Sequence, residues 1–263
     1  MPTIKINSSE IYFSLSGRGG KIALLFVHGS GADHTLWGFQ RSGLRDEFSI
    51  AALDLNGHGR SPRREGDGLA TYTQDVLAVM GALKDPIFLI GHSLGGAITL
   101  NVALQKPQNL VAIGLIGTGA KLRVHPQILE LIQSDFEKAV DFILSWAFKE
   151  NPDRKVHQKA RGQMLSNEQA ALWRDFSTCD AFNVMDRLSK ITVPALVVCG
   201  REDKLTPVKY SEYLKNNIRD AELHVIENAG HMVMLEQPKE LNRVIRDFVS
   251  QKVIACGKSD PPA

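Results

Sequence analysis

Ser93 lies in the run Gly91-His92-Ser93-Leu94-Gly95-Gly96, between the apolar stretch Ile87 to Ile90 and a segment with helical apolar spacing. A strand, then serine, then helix forces a sharp turn that lifts the hydroxyl above the edge of a sheet. Gly91 and Gly95 stand two residues either side of it, where a helix packing back over its strand leaves little room for a side chain. The helix also aims its unpaired N–H groups at the same place, so the Leu94 N–H is a candidate donor to a developing oxyanion. The chemistry this spacing supports is attack by Ser93 on an acyl carbon.

A serine hydroxyl is a weak nucleophile until a base accepts its proton, and the base needs a third group to fix its tautomer. In folds that carry a G-x-S-x-G serine on such a strand-to-helix turn, the chain order is serine, acid, histidine, each on a loop at the carboxyl end of a strand. Of the eight histidines, only His125, His157, His224 and His231 follow Ser93. His125 and His157 fall in a helical interval and His224 inside an expected strand, which leaves His231, after Glu227-Asn228-Ala229-Gly230, as the candidate base. For the acid, Asp203 and Glu202 both follow the apolar run Ala195 to Cys199, and periodicity does not separate them. Glu227 is a lesser alternative, because a short connection leaves its side chain little room to fold back onto the imidazole.

A second oxyanion donor should come from a neighbouring loop. The run Ala23 to Val27 leads into His28-Gly29-Ser30-Gly31, whose small residues let backbone N–H groups approach a ligand, with Ser30 favoured and Gly31 next. His28 and His92 are read as orienting backbone rather than moving protons.

These residues need a scaffold. Thr3 to Ile6 and Ile11 to Leu15 read as an antiparallel hairpin about Asn7-Ser8-Ser9-Glu10. Short apolar runs at Ala23 to Val27, Ile50 to Leu53, Ile87 to Ile90, Leu110 to Ile116, Ala195 to Cys199 and Leu223 to Ile226 read as strands buried on both faces. Helical segments separate most of them, one opened by a Thr71 to Gln74 capping box and another by Thr206 as N-cap before Pro207. Strand alternating with helix predicts a mostly parallel, helix-covered sheet. Between Thr118 and Leu188 the rhythm breaks into helices alone: Pro126 to Gln133, Phe136 to Phe148, Val156 to Leu165, and Asn167 to Phe176, the last with a Ser166 to Gln169 capping box. The expected organisation is a core of residues 1–117 and 189–263 with a helical cap, 118–188, inserted after the sixth strand. Trp146, Phe148, Trp173 and Phe176 of the cap are candidate pocket residues.

Composition narrows the function classes. The 263 residues suit one large α/β domain, and a net charge of +2 from 31 basic and 29 acidic residues gives no reason to expect a nucleic-acid partner. Arg60, Arg63 and Arg64 form the densest basic cluster, read as a solvated loop. The beginning of the sequence lacks a secretory pattern and no apolar run is long enough to cross a bilayer, so a cytoplasmic protein without a membrane span is expected. Cys179, Cys199 and Cys256 are too few and too scattered for a disulfide framework or a zinc site, and Gly257 to Ala263 reads as frayed. No dinucleotide fingerprint, Walker A sequence or H-E-x-x-H helix occurs, so neither cofactor nor metal is expected.

With these residues in place the chain resembles the α/β-hydrolase superfamily from about Ile4 to Val249. The matching pieces are His28 to Gly31, Asp54-Leu55-Asn56-Gly57-His58-Gly59-Arg60-Ser61, Gly91 to Gly96, Gly200 to Pro207 and Asn228 to His231. The resemblance implies an α/β-hydrolase fold, Asp203 as the acid in preference to Glu202, and an insert that shapes the substrate pocket. Within the superfamily the chain looks like the capped esterase, lactonase and carbon–carbon hydrolase branches. Haloalkane dehalogenases and epoxide hydrolases place aspartate where this chain has Ser93. The expected activity is hydrolysis of a small carboxylic ester or related acyl substrate by Ser93, Asp203 and His231. Carbon–carbon bond hydrolysis, enol-lactone cleavage and a small-molecule sensor that keeps the triad are the alternatives.

Overall fold

The computed structural model describes residues 3–253 apart from 7, 8, 18, 20 and 67. Its strands are β1 (Thr3–Ile6), β2 (Ser9–Ser16), β3 (Ala23–Val27), β4 (Ser49–Leu53), β5 (Ile87–His92), β6 (Leu110–Ile116), β7 (Ala195–Gly200) and β8 (Ala221–Ile226). They form one sheet in the order β1-β2-β4-β3-β5-β6-β7-β8, in which β1 and β2 are antiparallel and β3 to β8 parallel. The helices are α1 (Gly38–Leu44), α2 (Gly68–Leu83), α3 (Leu94–Ala103), α4 (Pro126–Ser134), α5 (Phe136–Ala147), α6 (Arg154–Leu165), α7 (Gln169–Ala181), α8 (Val208–Asn217), α9 (Val233–Glu236) and α10 (Pro238–Phe248).

The pleat divides the core. Leu24, Phe26, Phe88, Ile90, Leu196 and Val198 face one layer with Trp37, Leu44 and the α10 residues Leu241, Ile245 and Phe248. The alternate residues Leu25, Val27, Leu89, Ile113, Leu115 and Val197 face the other, with Tyr72 and Val76 of α2 and Ile98 of α3. Apolar residues on both faces make the central strands continuous apolar runs. α3 is buried along nearly its whole length, so it carries no polar face.

Strand order places the site. Chain direction reverses its progress across the sheet at β3, whose neighbours are β4 and β5, and ligands of open parallel sheets bind above such a reversal at the carboxyl ends of the strands. The loop after β3 carries Ser30 and the turn after β5 carries Ser93. The loops after β7 and β8 carry Asp203 and His231. α4 to α7 stand between β6 and β7 with no strand among them, apart from an isolated bridge, Lys121 to Asn183.

Several expectations change. β2 begins at Ser9, and Ser9 and Glu10 pair with Ile6 and Lys5, so the turn is tighter than read; Asn7 and Ser8 lie outside the described residues. β8 is an edge strand and only half-buried, since one flank has no strand to cover it. α2 already runs from Gly68, which puts Thr71 and Thr73 inside the helix rather than at a capping box; the Thr73 hydroxyl donates to the Leu69 carbonyl. α7 starts at Gln169 behind Glu168, while Ser166 ends α6, so the Ser166 to Gln169 box does not form. Arg64 is not solvated: its guanidinium pairs with buried Asp75. Cys179 and Cys199 are buried free thiols, and Cys256 with Gly257 to Ala263 lies outside the described residues. Among the described residues no helix is long and apolar enough to cross a membrane.

Candidate active site

Ser93 sits at φ 52° and ψ −115°, a conformation that side-chain-bearing residues rarely adopt, on the turn between β5 and α3. The two glycines beside it are sterically compelled. A Cβ on Gly91 would lie 2.1 Å from the Gly95 carbonyl oxygen, and one on Gly95 would lie 2.4 Å from the Val27 carbonyl oxygen. Helix, strand and turn are therefore pressed together around the hydroxyl. The Leu94 N–H has no acceptor among the described residues, nor has the Ser30 N–H, whereas the Gly31 N–H donates to Asp175 Oδ2 at 3.0 Å. Of the two loop donors considered, Gly31 is already committed.

His231 is 4% exposed and is held through Nδ1, which lies 2.9 Å from Asp203 Oδ2. Asp203 is saturated: Oδ1 accepts from the Leu205 and Thr206 N–H groups at 2.9 and 2.8 Å, and Oδ2 also accepts from the Thr206 hydroxyl at 2.8 Å. Thr206 is thus no helix cap. Its oxygen is also 3.2 Å from His231 Nδ1, and α8 begins later, at Val208. His231 Nε2 has no protein partner among the described residues. No hydrogen bond joins the Ser93 hydroxyl to His231 there; both line one cavity, and catalytic hydrogen bonds often tighten only in the substrate complex. Glu202 and Glu227 are engaged elsewhere, accepting from the Glu150 N–H at 3.3 Å and from Arg201 Nε at 3.0 Å respectively.

His28 and His92 hold backbone. His28 Nδ1 donates to the Gly29 carbonyl at 2.8 Å while Nε2 accepts from the Leu55 N–H at 3.1 Å, a pattern only the neutral ring supports. Burial, reinforced by neighbouring His58, lowers its pKa to about 4. His92 Nε2 donates to the His231 carbonyl at 3.1 Å, and burial keeps this ring neutral too.

The cavity over Ser93 measures about 540 Å³, within the usual range for small-molecule sites. Of the four insert aromatics, only Phe176 lines it. Trp146 and Trp173 are 37% and 40% exposed, because each lies off the buried ridge of its helix; Trp146 packs instead beside Phe142 and His125. Phe148 is buried but lies against His157 rather than the cavity. Ile143, Leu144 and Ala147 of α5 and Val156, Ala160 and Met164 of α6 extend its apolar lining.

The helices α5 and α7 and the turn before α7 also grip the loops that carry Ser30 and His231, through residues that sequence reasoning missed. Asp175 of α7 is fully buried; Oδ2 accepts from Gly31 N–H and from His58 Nε2 at 2.9 Å, and Oδ1 accepts from the Tyr72 hydroxyl at 2.5 Å. Asn167 Nδ2 donates to the Gly31 carbonyl at 2.8 Å, so the residue after Ser30 is held through both its N–H and its carbonyl. On the other side, the Ala147 carbonyl at the end of α5 accepts from the His231 N–H at 2.7 Å. The available signal for Asp175 was a carboxylate on the apolar ridge Ala171, Leu172, Phe176 and Cys179.

Burial, the largest single influence, would raise Asp175 and lower His58. Their mutual attraction and hydrogen bond, with the bonds that Asp175 accepts from Tyr72 and Gly31 and the one that His58 donates to the Asn56 carbonyl, together outweigh it, so Asp175 titrates below and His58 above its ordinary value. The stabilisation from Asp175 is lost as pH falls through its lowered pKa, and that from His58 as pH rises through its raised one. It is greatest between the unfolded-state values, about 3.9 and about 6.5. Asp175→Asn should cost about 3–5 kcal/mol by leaving a buried imidazolium unpaired. Urea unfolding should show the deficit near pH 6 and a smaller one once His58 is neutral.

Two other clusters bear on chemistry. The ligand atoms of Asp33, His34 and Asp54 lie within 4.8 Å of one another, but Asp54 accepts from His34 and Arg60, and Asp33 from Thr35 and Gln163. Those oxygens build turns, and a cation would have to displace these bonds. Burial pushes the Cys179 thiol up to about 12, which removes it as a nucleophile.

Comparison with known proteins bears on the fold and the family. A thermophilic esterase structure superposes with TM-score 0.85 at 35% identity, covering 95% of this chain and 97% of that one. Est816, described as an N-acyl homoserine lactone degrading enzyme, gives TM-score 0.85 at 30% identity over 94% of this chain and all of its own. A pimeloyl-[acyl-carrier protein] methyl ester esterase of Neisseria meningitidis is 27% identical over 241 residues, 85% of this chain and 91% of that protein. The model of the alpha/beta hydrolase family matches residues 24–244, and the chain belongs to that family.

Proposed function

We propose that the protein is a serine hydrolase that cleaves small carboxylic esters or related acyl compounds through an acyl-enzyme. The observation that carries this reading is the strained Ser93 facing a cavity shared with a histidine already oriented by a buried carboxylate. Ser93 Oγ attacks the substrate carbonyl carbon and its proton passes to His231 Nε2. Asp203 holds the proton on Nδ1 and stabilises the imidazolium. The tetrahedral oxyanion is received by the Leu94 and Ser30 N–H groups, preset by α3 and by the backbone of Gly31, held at its N–H and its carbonyl. His231 then protonates the departing alkoxide, and water repeats the sequence to release the acid and restore Ser93.

The esterase and lactone-degrading relatives support acyl chemistry, since a lactone is a cyclic ester. The test is a 4-nitrophenyl ester mixed rapidly with enzyme. A burst of one equivalent followed by steady turnover, with the acyl mass on the Ser93 peptide, supports the hydrolase. One covalent event without turnover would instead fit a sensor.

The insert is read as a cap that sets chain-length preference. Phe176→Ala should open the cavity beside Ser93 and raise the ratio of kcat/KM for long over short esters by roughly 10-fold or more, the worth of one or two methylenes in an apolar pocket. Trp146→Ala and Trp173→Ala, which remove exposed rings, should leave that ratio in place. A ratio unchanged in Phe176→Ala would remove α7 from the acyl site.

A further inference from the structure

The cavity's charge distribution identifies a narrower substrate. Two adjacent ridges of α6 face it: Val156, Ala160 and Met164 at intervals of four residues, and beside them Lys155, Lys159 and Gln163 at the same interval. Gln163 is tied to the core through Asp33, at 2.8 Å. Lys155 and Lys159 are exposed, and neither has an ion pair among the described residues, whereas Arg161 of the same helix is neutralised by Glu137 and Asp141. No aspartate or glutamate appears among the residues lining the cavity. The site is therefore a largely apolar cavity whose wall carries two exposed lysines, one helical turn apart, without an ion pair among the described residues.

We propose that the substrate is an ester whose acyl chain ends in a carboxylate, the half-ester of an aliphatic dicarboxylic acid. This rests on the serine-hydrolase reading and narrows it. The methylenes lie along Val156, Ala160 and Met164, and the far carboxylate meets Lys155 and Lys159, whose own stems cover apolar surface. Ser93 Oγ bonds to the ester carbonyl carbon, the ester C–O bond breaks, and the alcohol leaves with the proton carried by His231. Water then releases a dicarboxylate. The terminal carboxylate takes no part in bond making and serves to orient the chain.

The test compares kcat/KM for the 4-nitrophenyl half-ester of adipic acid with that for 4-nitrophenyl hexanoate, an uncharged chain of the same length. The wild-type ratio should exceed one and decrease with added salt, which screens exposed charges. It should fall about tenfold in the double variant Lys155→Glu, Lys159→Glu, where two attractions become repulsions, and stay near the wild-type value in Lys155→Arg, Lys159→Arg. Lys155→Gln, Lys159→Gln carries the same comparison, with a smaller fall, should charge reversal unfold the cap. A wild-type ratio at or below one, or a ratio that survives charge reversal in a folded protein, overturns the proposal. The pair of substrates keeps the two readings apart: failure of both esters in the wild type would overturn the hydrolase reading, whereas hexanoate hydrolysis with no preference for the half-ester would overturn this one alone.

Discussion

Ser93→Ala should abolish covalent labelling by a fluorophosphonate and lower ester turnover by about 10⁵- to 10⁶-fold, leaving roughly 10³- to 10⁴-fold catalysis over water. The residual is expected because the Leu94 and Ser30 N–H groups do not depend on the hydroxyl. They are placed by α3 and by the Gly31 backbone, whose N–H and carbonyl Asp175 and Asn167 hold. The substitution is also structurally mild. Alanine keeps the Cβ that the turn already accommodates, and the hydrogen bonds of residue 93 among the described residues run through its backbone. The N–H donates to the Ile116 carbonyl at 2.9 Å, and the carbonyl accepts from the Thr118 hydroxyl at 2.9 Å and from the Gly96 and Ala97 N–H groups. Labelling retained by a folded Ser93→Ala protein would move the nucleophile elsewhere.

Asp203→Asn should lower kcat by about 10⁴-fold with the fold intact. The geometry says why. Oδ1 receives two backbone N–H groups, so an asparagine would keep its carbonyl oxygen there and turn its amide toward His231 Nδ1. That amide donates, which forces Nδ1 to accept and moves the ring proton to Nε2, where the base must be vacant. Glu202→Gln should change kcat little, since its carboxylate reaches the Glu150 N–H and not His231. Steady-state kinetics of the two variants, with circular dichroism as a check on folding, decides between them. A large loss in Glu202→Gln with a small one in Asp203→Asn would transfer the acid to Glu202.

The parallel strands were legible because each is a short apolar run whose burial on both faces is written into consecutive residues. The central strands β3 and β6 have the bounds the runs predict, while β8 keeps its position but loses its double burial because it lies at the edge. Helix beginnings were read less well. Thr71, Ser166 and Thr206 each carry a capping signature, yet tertiary partners or an earlier helix start claim them instead. A capping bond contributes only about 1 kcal/mol, which a buried carboxylate such as Asp203 readily outweighs.

What the sequence determined by itself was the local frame of the candidate site: Ser93 between its two glycines, the loop after β3, and the order in which Asp203 and His231 follow. Those features are local, set by steric demands within a few residues and by the rule that parallel strands present their carboxyl ends on one side. The pocket was decided by tertiary structure. Trp146 and Trp173 have the composition of pocket residues but lie on outward helix faces, and Asp175, 144 residues from Gly31, joins it only through the docking of α7. Helical periodicity says which residues share a face, and only the packing of that face against a distant segment says whether it meets solvent, core or substrate.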